Sequence, residues 1–186
     1  RAIAGQRTAL NLADVDKDEL ERGMVLAEKG VLHPTQAIDA EVEVIPGAKR
    51  PLRSRQRVRF HIGSTEVLAR ILALGGSEIG PGEKGVIQLR LESPVMAVFG
   101  DRFVLRSYSP QVTVAGGCVL DPLSTRHRRK DLSGVIEYLN ELARSVDEPT
   151  HVVERFVSYA GGRGIAVGEV RAKTGWSDRT LRSAIS

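Results

Sequence analysis

A single cysteine, Cys118, stands in 186 residues, so no intramolecular disulfide can form. No second thiol or histidine lies at metal-ligand spacing, which argues against a zinc site and suits a reducing cytosol, the expected location. Aromatics are scarce at 4% of the chain. The core therefore has to be aliphatic, for which a hydrophobic fraction of 41% is enough. No apolar run approaches the ~20 residues of a membrane helix, and no membrane partner is expected. No loop of the form G-x-x-x-x-G-K-[ST] and no G-x-G-x-x-G fingerprint is read in the chain. The glycines around Arg163 follow a helical pattern and lack the lysine of a phosphate loop. His33, His61, His127 and His151 are scattered, without a local Ser or Cys partner. No catalytic residue, metal or cofactor is expected in this chain. The sequence begins at Arg1 without a methionine or a signal-like segment and reads as a piece of a longer protein.

What is present divides at residue 122. Before it, turn signals recur every several residues between short alternating segments, the mark of a barrel or sandwich of antiparallel strands wetted on one face. Ala40, Val42 and Val44 alternate with Asp39, Glu41 and Glu43. Val58, Phe60 and Ile62 alternate with Arg57, Arg59 and His61. Ile87, Leu89 and Leu91 alternate with Gln88 and Arg90. The stretch 102–122 is the last hairpin. Phe103 and Leu105 point one way, Arg102, Val104 and Arg106 the other, and the break at residues 107–110 precedes a second strand over 112–120. Gly116 and Gly117 inside that strand suggest a bulge or a close backbone approach. Nearer the N-terminus, short strands are expected at 8–12 and 24–27. Between them Asp16 and Glu19 fit a capping box and Gly23 a helical stop.

After residue 131 the period becomes helical. Val135, Ile136, Leu139, Leu142 and Ala143 form one stripe. Pro149 opens a second helix that buries Val152, Val153, Phe156 and Val157. Residues 161–164 read as a flexible connector. A third helix over 166–173, a turn at Gly175 and a fourth helix capped by Ser177 or Asp178 and carrying Leu181 and Ile185 make a helix-turn-helix pattern. The expected fold is mainly β with an α-helical tail.

Charge points to an anionic partner. The net charge of +4 permits nucleic acid without requiring it. Arg53, Arg55, Arg57 and Arg59 are spaced by two and would share one strand face beside His61. Four guanidinium groups on one face repel unless anions sit among them, and a phosphate backbone is the natural partner. The alternative is a solvated face balanced by Asp39, Glu41 and Glu43 of an adjacent strand. Residues 126–130 (RHRRK) read as a solvated basic linker. Arg171, Lys173, Arg179 and Arg182 decorate the paired helices and are offset by Glu169 and Asp178.

Several stretches resemble a known family. GQRTALNLA (5–13) and ELERGMVL (19–26) resemble the end of the second domain of translational GTPases such as elongation factor Tu. FHIGSTEV (60–67), Pro81-Gly82, LRLESPV (89–95) and above all GDRFVLRSYSP (100–110) resemble the third domain of the selenocysteine-specific elongation factors, whose bacterial members continue into tandem winged-helix modules. The resemblance implies the end of a second β-barrel over 1–30, a third-domain antiparallel translation-factor barrel over 31–122, a linker over 123–131 and a partial first winged-helix module over 132–186. It implies delivery of selenocysteinyl-tRNA to a ribosome at recoded UGA codons. GTP and Mg would belong to a GTPase domain upstream, and an mRNA hairpin would be read by later winged helices. It also implies tRNA contacts. Glu19 sits where a residue packs on the terminal adenosine, Arg22 near the aminoacyl end, and Arg106 and Tyr108 on the barrel against the acceptor and T-stem backbone. Arg7 is placed to offer positive charge to a selenolate, and Arg57 and Arg59 join the backbone-binding face. Two other classes fit the residues: a transcription regulator with a β ligand-sensing domain and a winged-helix DNA reader, and a structural arm that docks a GTPase domain.

Overall fold

The computed structural model describes residue 3 and residues 5–186. The strands are β1 (Thr35–Val44), β2 (Leu52–Arg53), β3 (Arg57–Ile62), β4 (Thr65–Ala73), β5 (Glu78–Ile79), β6 (Lys84–Val95), β7 (Arg102–Ser107) and β8 (Thr113–Asp121). Six of them close into an antiparallel barrel in the order β1-β6-β4-β3-β7-β8, with β8 returning to β1, and β2 and β5 form a small separate ribbon. Closure leaves no open edge.

The two-residue period decides which side chains fill it. Val58, Phe60, Ile62, Ile87, Leu89, Phe103 and Leu105 face inward and are buried. Phe60 and Phe103, on paired strands, pack with ring centroids 5.1 Å apart. Gly117 has no room for a side chain: a Cβ there would lie 2.2 Å from the Glu41 carbonyl oxygen and 2.5 Å from Phe103 Cζ. Of the two readings of the glycine pair, the close approach is realised, and the register runs without a shift through Gly116 and Gly117. Gly80, Gly82 and Gly85 have G-x-G-x-x-G spacing but feed a strand, β6, and so form a turn.

The N-terminal segment departs from expectation. No strand forms at 8–12 or 24–27; among the described residues the one regular element before β1 is a 3-10 turn, Lys17–Glu19. A strand needs a ladder partner for its backbone groups, and among the described residues no strand is hydrogen-bonded to these two stretches through its backbone. The segment is fastened by side chains instead. Arg22 Nε donates to the Ser64 carbonyl at 2.9 Å, Thr65 Oγ1 donates to the Gly23 carbonyl at 3.3 Å, and Glu28 pairs with Arg171 at 2.5 Å.

Four helices come after the barrel: α1 (Leu132–Arg144), α2 (Pro149–Ala160), α3 (Val167–Thr174) and α4 (Asp178–Ile185). Gly175 is left-handed at φ 65° and makes the turn between the last two, and Ser177 Oγ caps α4 by accepting from Thr180 N. The 161–164 connector contains a 3-10 turn, Gly161–Arg163. Val157 and Ile185 are exposed rather than buried, whereas Tyr138 joins the core. Phe99 ties barrel to helices, edge-on to Phe156 at 5.9 Å and to Trp176 at 6.4 Å.

Two buried acids complete that junction. Asp39 and Asp121 are register partners on β1 and β8. His127 Nε2 meets Asp39 Oδ2 at 2.7 Å, and Ser124 and Gln88 donate to the same carboxylate. Lys173 Nζ donates to both oxygens of Asp121 at 2.7 Å. The stretch expected as a solvated linker therefore has its middle pressed onto the barrel, although Arg126, Arg128, Arg129 and Lys130 remain exposed.

The Asp39 hydrogen bond raises the His127 pKa, with Asp121 adding to it and burial and Arg90 opposing it. A histidine raised in the folded state stabilises fully below its unfolded pKa, near 6.5, and loses that contribution as pH rises through the folded value. Thermal stability is thus expected to fall as pH rises above about 6.5. In His127→Gln that slope should flatten in a melting series above that pH; an unchanged slope would assign the pH dependence to another group.

Candidate nucleic-acid interface

The outward side chains of β3 and β7 meet the turn at the end of β7. Arg59 lies directly opposite Arg106 in the β3–β7 register. The turn folds back through Ser107, whose N donates to the Val112 carbonyl at 2.8 Å and whose hydroxyl donates to the Pro110 carbonyl, with a cis peptide between Ser109 and Pro110. This sets the Tyr108 ring under two guanidinium groups: Arg57 at 4.9 Å and Arg59 at 5.6 Å from its centroid. A cation over a tyrosine face contributes about 0.5–1 kcal/mol at an exposed site. Arg106 Nη2 donates to the Gln111 carbonyl at 2.6 Å, while its Nε is buried without a partner. With its amide oxygen turned to Arg59, Gln111 accepts from Arg59 Nε and Nη2 at 3.1 Å each.

Carboxylates hold these arginines in place. Arg57 makes a two-point bond to Glu92 at 2.8 and 2.6 Å, and Arg59 bonds Glu66 at 2.5 Å. Those hydrogen bonds hold the Glu92 and Glu66 carboxyls below their usual values and raise the Arg57 pKa. The balancing acids are not Asp39, Glu41 and Glu43, because β1 is not adjacent to β3. Nor do the four arginines share one strand. Arg53 is in β2 and pairs with Glu78, and Arg55 sits in a left-handed turn at φ 70°, so only Arg57 and Arg59 share a face of β3.

Of the residues singled out in the sequence, Arg57, Arg59, Arg106 and Tyr108 come together. Arg7, Glu19 and Arg22 do not join them. Arg22 is engaged at Ser64, beyond the far end of β3, about 20 Å along a six-residue strand from the Tyr108 end. Glu19 turns back to accept from Asp16 N at 3.2 Å, and Arg7 is exposed. Sequence reasoning missed Glu66, Glu92 and Gln111. Glu66 was within reach: the two-residue Gly63-Ser64 turn fixes the β3–β4 register and puts Glu66 opposite His61, next to Arg59. Glu92 and Gln111 carried no local signal.

Among the described residues no group of three or more His, Cys, Asp or Glu is placed to hold a metal ion, and no helix is long and apolar enough to cross a membrane. Burial pushes the Cys118 thiol up, away from a reactive thiolate.

Comparison with known proteins bears on what this surface belongs to. The model for the "Selenocysteine-specific elongation factor, beta-barrel domain" family matches residues 39–126. A selenocysteine-specific elongation factor of Desulfomicrobium baculatum is 38% identical over 180 residues, 97% of this chain and 28% of the relative. One of Haemophilus influenzae is 32% identical over 145 residues, 77% of this chain and 22% of the relative. The chain thus spans 28% and 22% of the lengths of these two curated relatives. The matched residues run from β1 through β8 and take in the arginine–tyrosine cluster, so the chain carries a β-barrel domain of the selenocysteine-specific elongation factor family.

Proposed function

We propose that this chain supplies the tRNA-binding barrel surface of a factor that delivers selenocysteinyl-tRNA to the ribosome at recoded UGA codons. The observation that carries the reading is the gathering of Arg57, Arg59 and Arg106 around Tyr108 on one face of a barrel of this family. Glu66 and Glu92 pre-position the guanidinium groups, and an RNA phosphate takes over part of that hydrogen bonding when it arrives. In this reading α1–α4 begin a winged-helix module that serves as a spacer, and an mRNA hairpin is read by modules beyond it. GTP and Mg belong to a GTPase domain upstream. The N-terminal segment is the end of the preceding barrel, and Glu19, Arg22 and Arg7 approach the aminoacyl end of the tRNA once that barrel is complete.

The test is filter binding of tRNA to the chain across a salt series. Affinity is expected to fall steeply with salt, and Arg106→Glu to weaken it about tenfold at low salt. Unchanged binding in Arg106→Glu would remove the barrel face from the interface. Selective protection of a duplex DNA site would instead support the regulator class.

A further inference from the structure

We propose that the groove walled by Arg55, Arg70, Arg90 and Arg126 binds the sugar-phosphate backbone of a double-helical RNA segment, as a second contact beyond the Tyr108 cluster. The registers line up three arginines. Arg57 lies opposite Arg70 across β3 and β4, and Arg70 lies opposite Arg90 across β4 and β6. Like charges directly opposite one another destabilise a sheet unless something neutralises them. Glu92 does this for Arg57. Arg70 feels the same Glu92 carboxylate only at longer range, without an ion pair, and Arg90 has no acid partner among the described residues. Among the described residues Arg70 and Arg90 form no ion pair, and the one bond Arg90 makes is to Gln88 Oε1 at 3.3 Å. Arg55 and Arg126 close the same groove, of about 400 Å³, and among the described residues they also have no carboxylate partner. Among the described residues no acid lines it. Arg55 is held there in a left-handed conformation at φ 70°, which a non-glycine residue rarely adopts.

Among the described residues these four arginines have no ion pair, whereas Arg57 and Arg59 have carboxylate partners. Four guanidinium groups spread over β4, β6, the turn before β3 and the segment after β8 are too dispersed for one phosphate and suit a linear polyanion. The groove continues past Arg90 and Arg126 onto the side-chain amide of Gln36 and the hydroxyl of Thr125, which suit phosphate and ribose oxygens. Among the described residues no Phe, Tyr or Trp lines either part, and the His127 ring is tied to Asp39, so unpaired bases have no aromatic platform to stack on. A duplex, with its bases turned inward, meets that requirement.

This rests on reading the barrel as an RNA-binding surface, and the two can fail separately. Binding of tRNA, and of an RNA stem of about two turns, would be measured across a salt series for the full chain, Arg70→Ala/Arg90→Ala, Arg126→Ala and Arg106→Glu, with circular dichroism to confirm folding. The double variant is expected to lose about tenfold in affinity for both RNAs and to flatten the salt slope by about 1.8, the effect of two phosphate contacts on a duplex. Unchanged affinity and slope in the double variant, with binding weakened by Arg106→Glu, would overturn the groove and leave the Tyr108 face standing. Sensitivity of the double variant alone would keep the groove and overturn the Tyr108 face. Equal binding of duplex DNA through the same arginines would overturn the assignment to RNA.

Discussion

Replacing Lys173 with Met lowers the unfolding free energy by about 3–5 kcal/mol, a large part of the 5–15 kcal/mol typical of a folded protein. The loss comes from what is left behind. Asp121 is 9% exposed, burial already pushes its carboxyl up, and Lys173 is the cation that opposes this. Without Lys173 the carboxylate keeps one local donor, the Leu123 backbone N at 2.9 Å, and faces Asp39 across the ladder. Urea denaturation measures the effect. The sign of its pH dependence is set: the variant's Asp121 pKa rises further above its unfolded value, so its deficit shrinks as pH falls and Asp121 protonates. Asp121→Asn in the Lys173→Met background should recover much of the loss, since the amide oxygen still accepts from Leu123. A deficit that is the same at every pH and resists Asp121→Asn would mean that Lys173 acts through packing against Phe156, 5.9 Å away, rather than through charge.

Gly117→Ala is expected to cost about 3 kcal/mol, lowering the melting temperature by about 6–12 °C in a chain of this size. Its steric partner is what makes the site unforgiving. The Glu41 carbonyl oxygen belongs to a ladder strand, where moving one group disturbs the β1–β8 register around it. Phe103 would also have to leave its packing on Phe60. Gly116→Ala is the control. The nearest atom to its Cβ is the Phe103 carbonyl oxygen at 3.5 Å, an ordinary contact, so a change within about 1 kcal/mol is expected. Similar melting curves for the two variants would show that β8 shifts to admit the methyl group.

Period and turn chemistry carried most of the fold. Val58, Phe60 and Ile62, and then Ile87, Leu89 and Leu91, alternate cleanly because each side of a barrel wall meets a different medium. The Gly175 turn and the Ser177 cap were readable because αL geometry and an unpaired helix N–H call for those residue types. Pairing partners were less legible. The contrast between Arg57, ion-paired with Glu92, and Arg70, which has no ion pair among the described residues, depends on which strands lie side by side, and the order β6-β4-β3-β7 is a long-range property. Asp39 and Gln88 hold polar-face positions and looked solvated, yet both are buried because residues 124–127 lie over them. The strands expected at 8–12 and 24–27 had the right alternation, but alternation specifies a face and does not supply a neighbour.

The pairing of Asp39 with Asp121 limits how freely the barrel can be separated from the helices C-terminal to it. Electroneutrality at that rung of the ladder comes from outside the barrel, from His127 in the segment after β8 and from Lys173 in α3. Excising the barrel at residue 122 would leave two facing carboxylates with neither counter-ion, and the excised domain would fold best in acid. Grafting a different module onto the same barrel would call for both acids to change together. The autonomous folding unit therefore extends at least to residue 173, about fifty residues past the last strand.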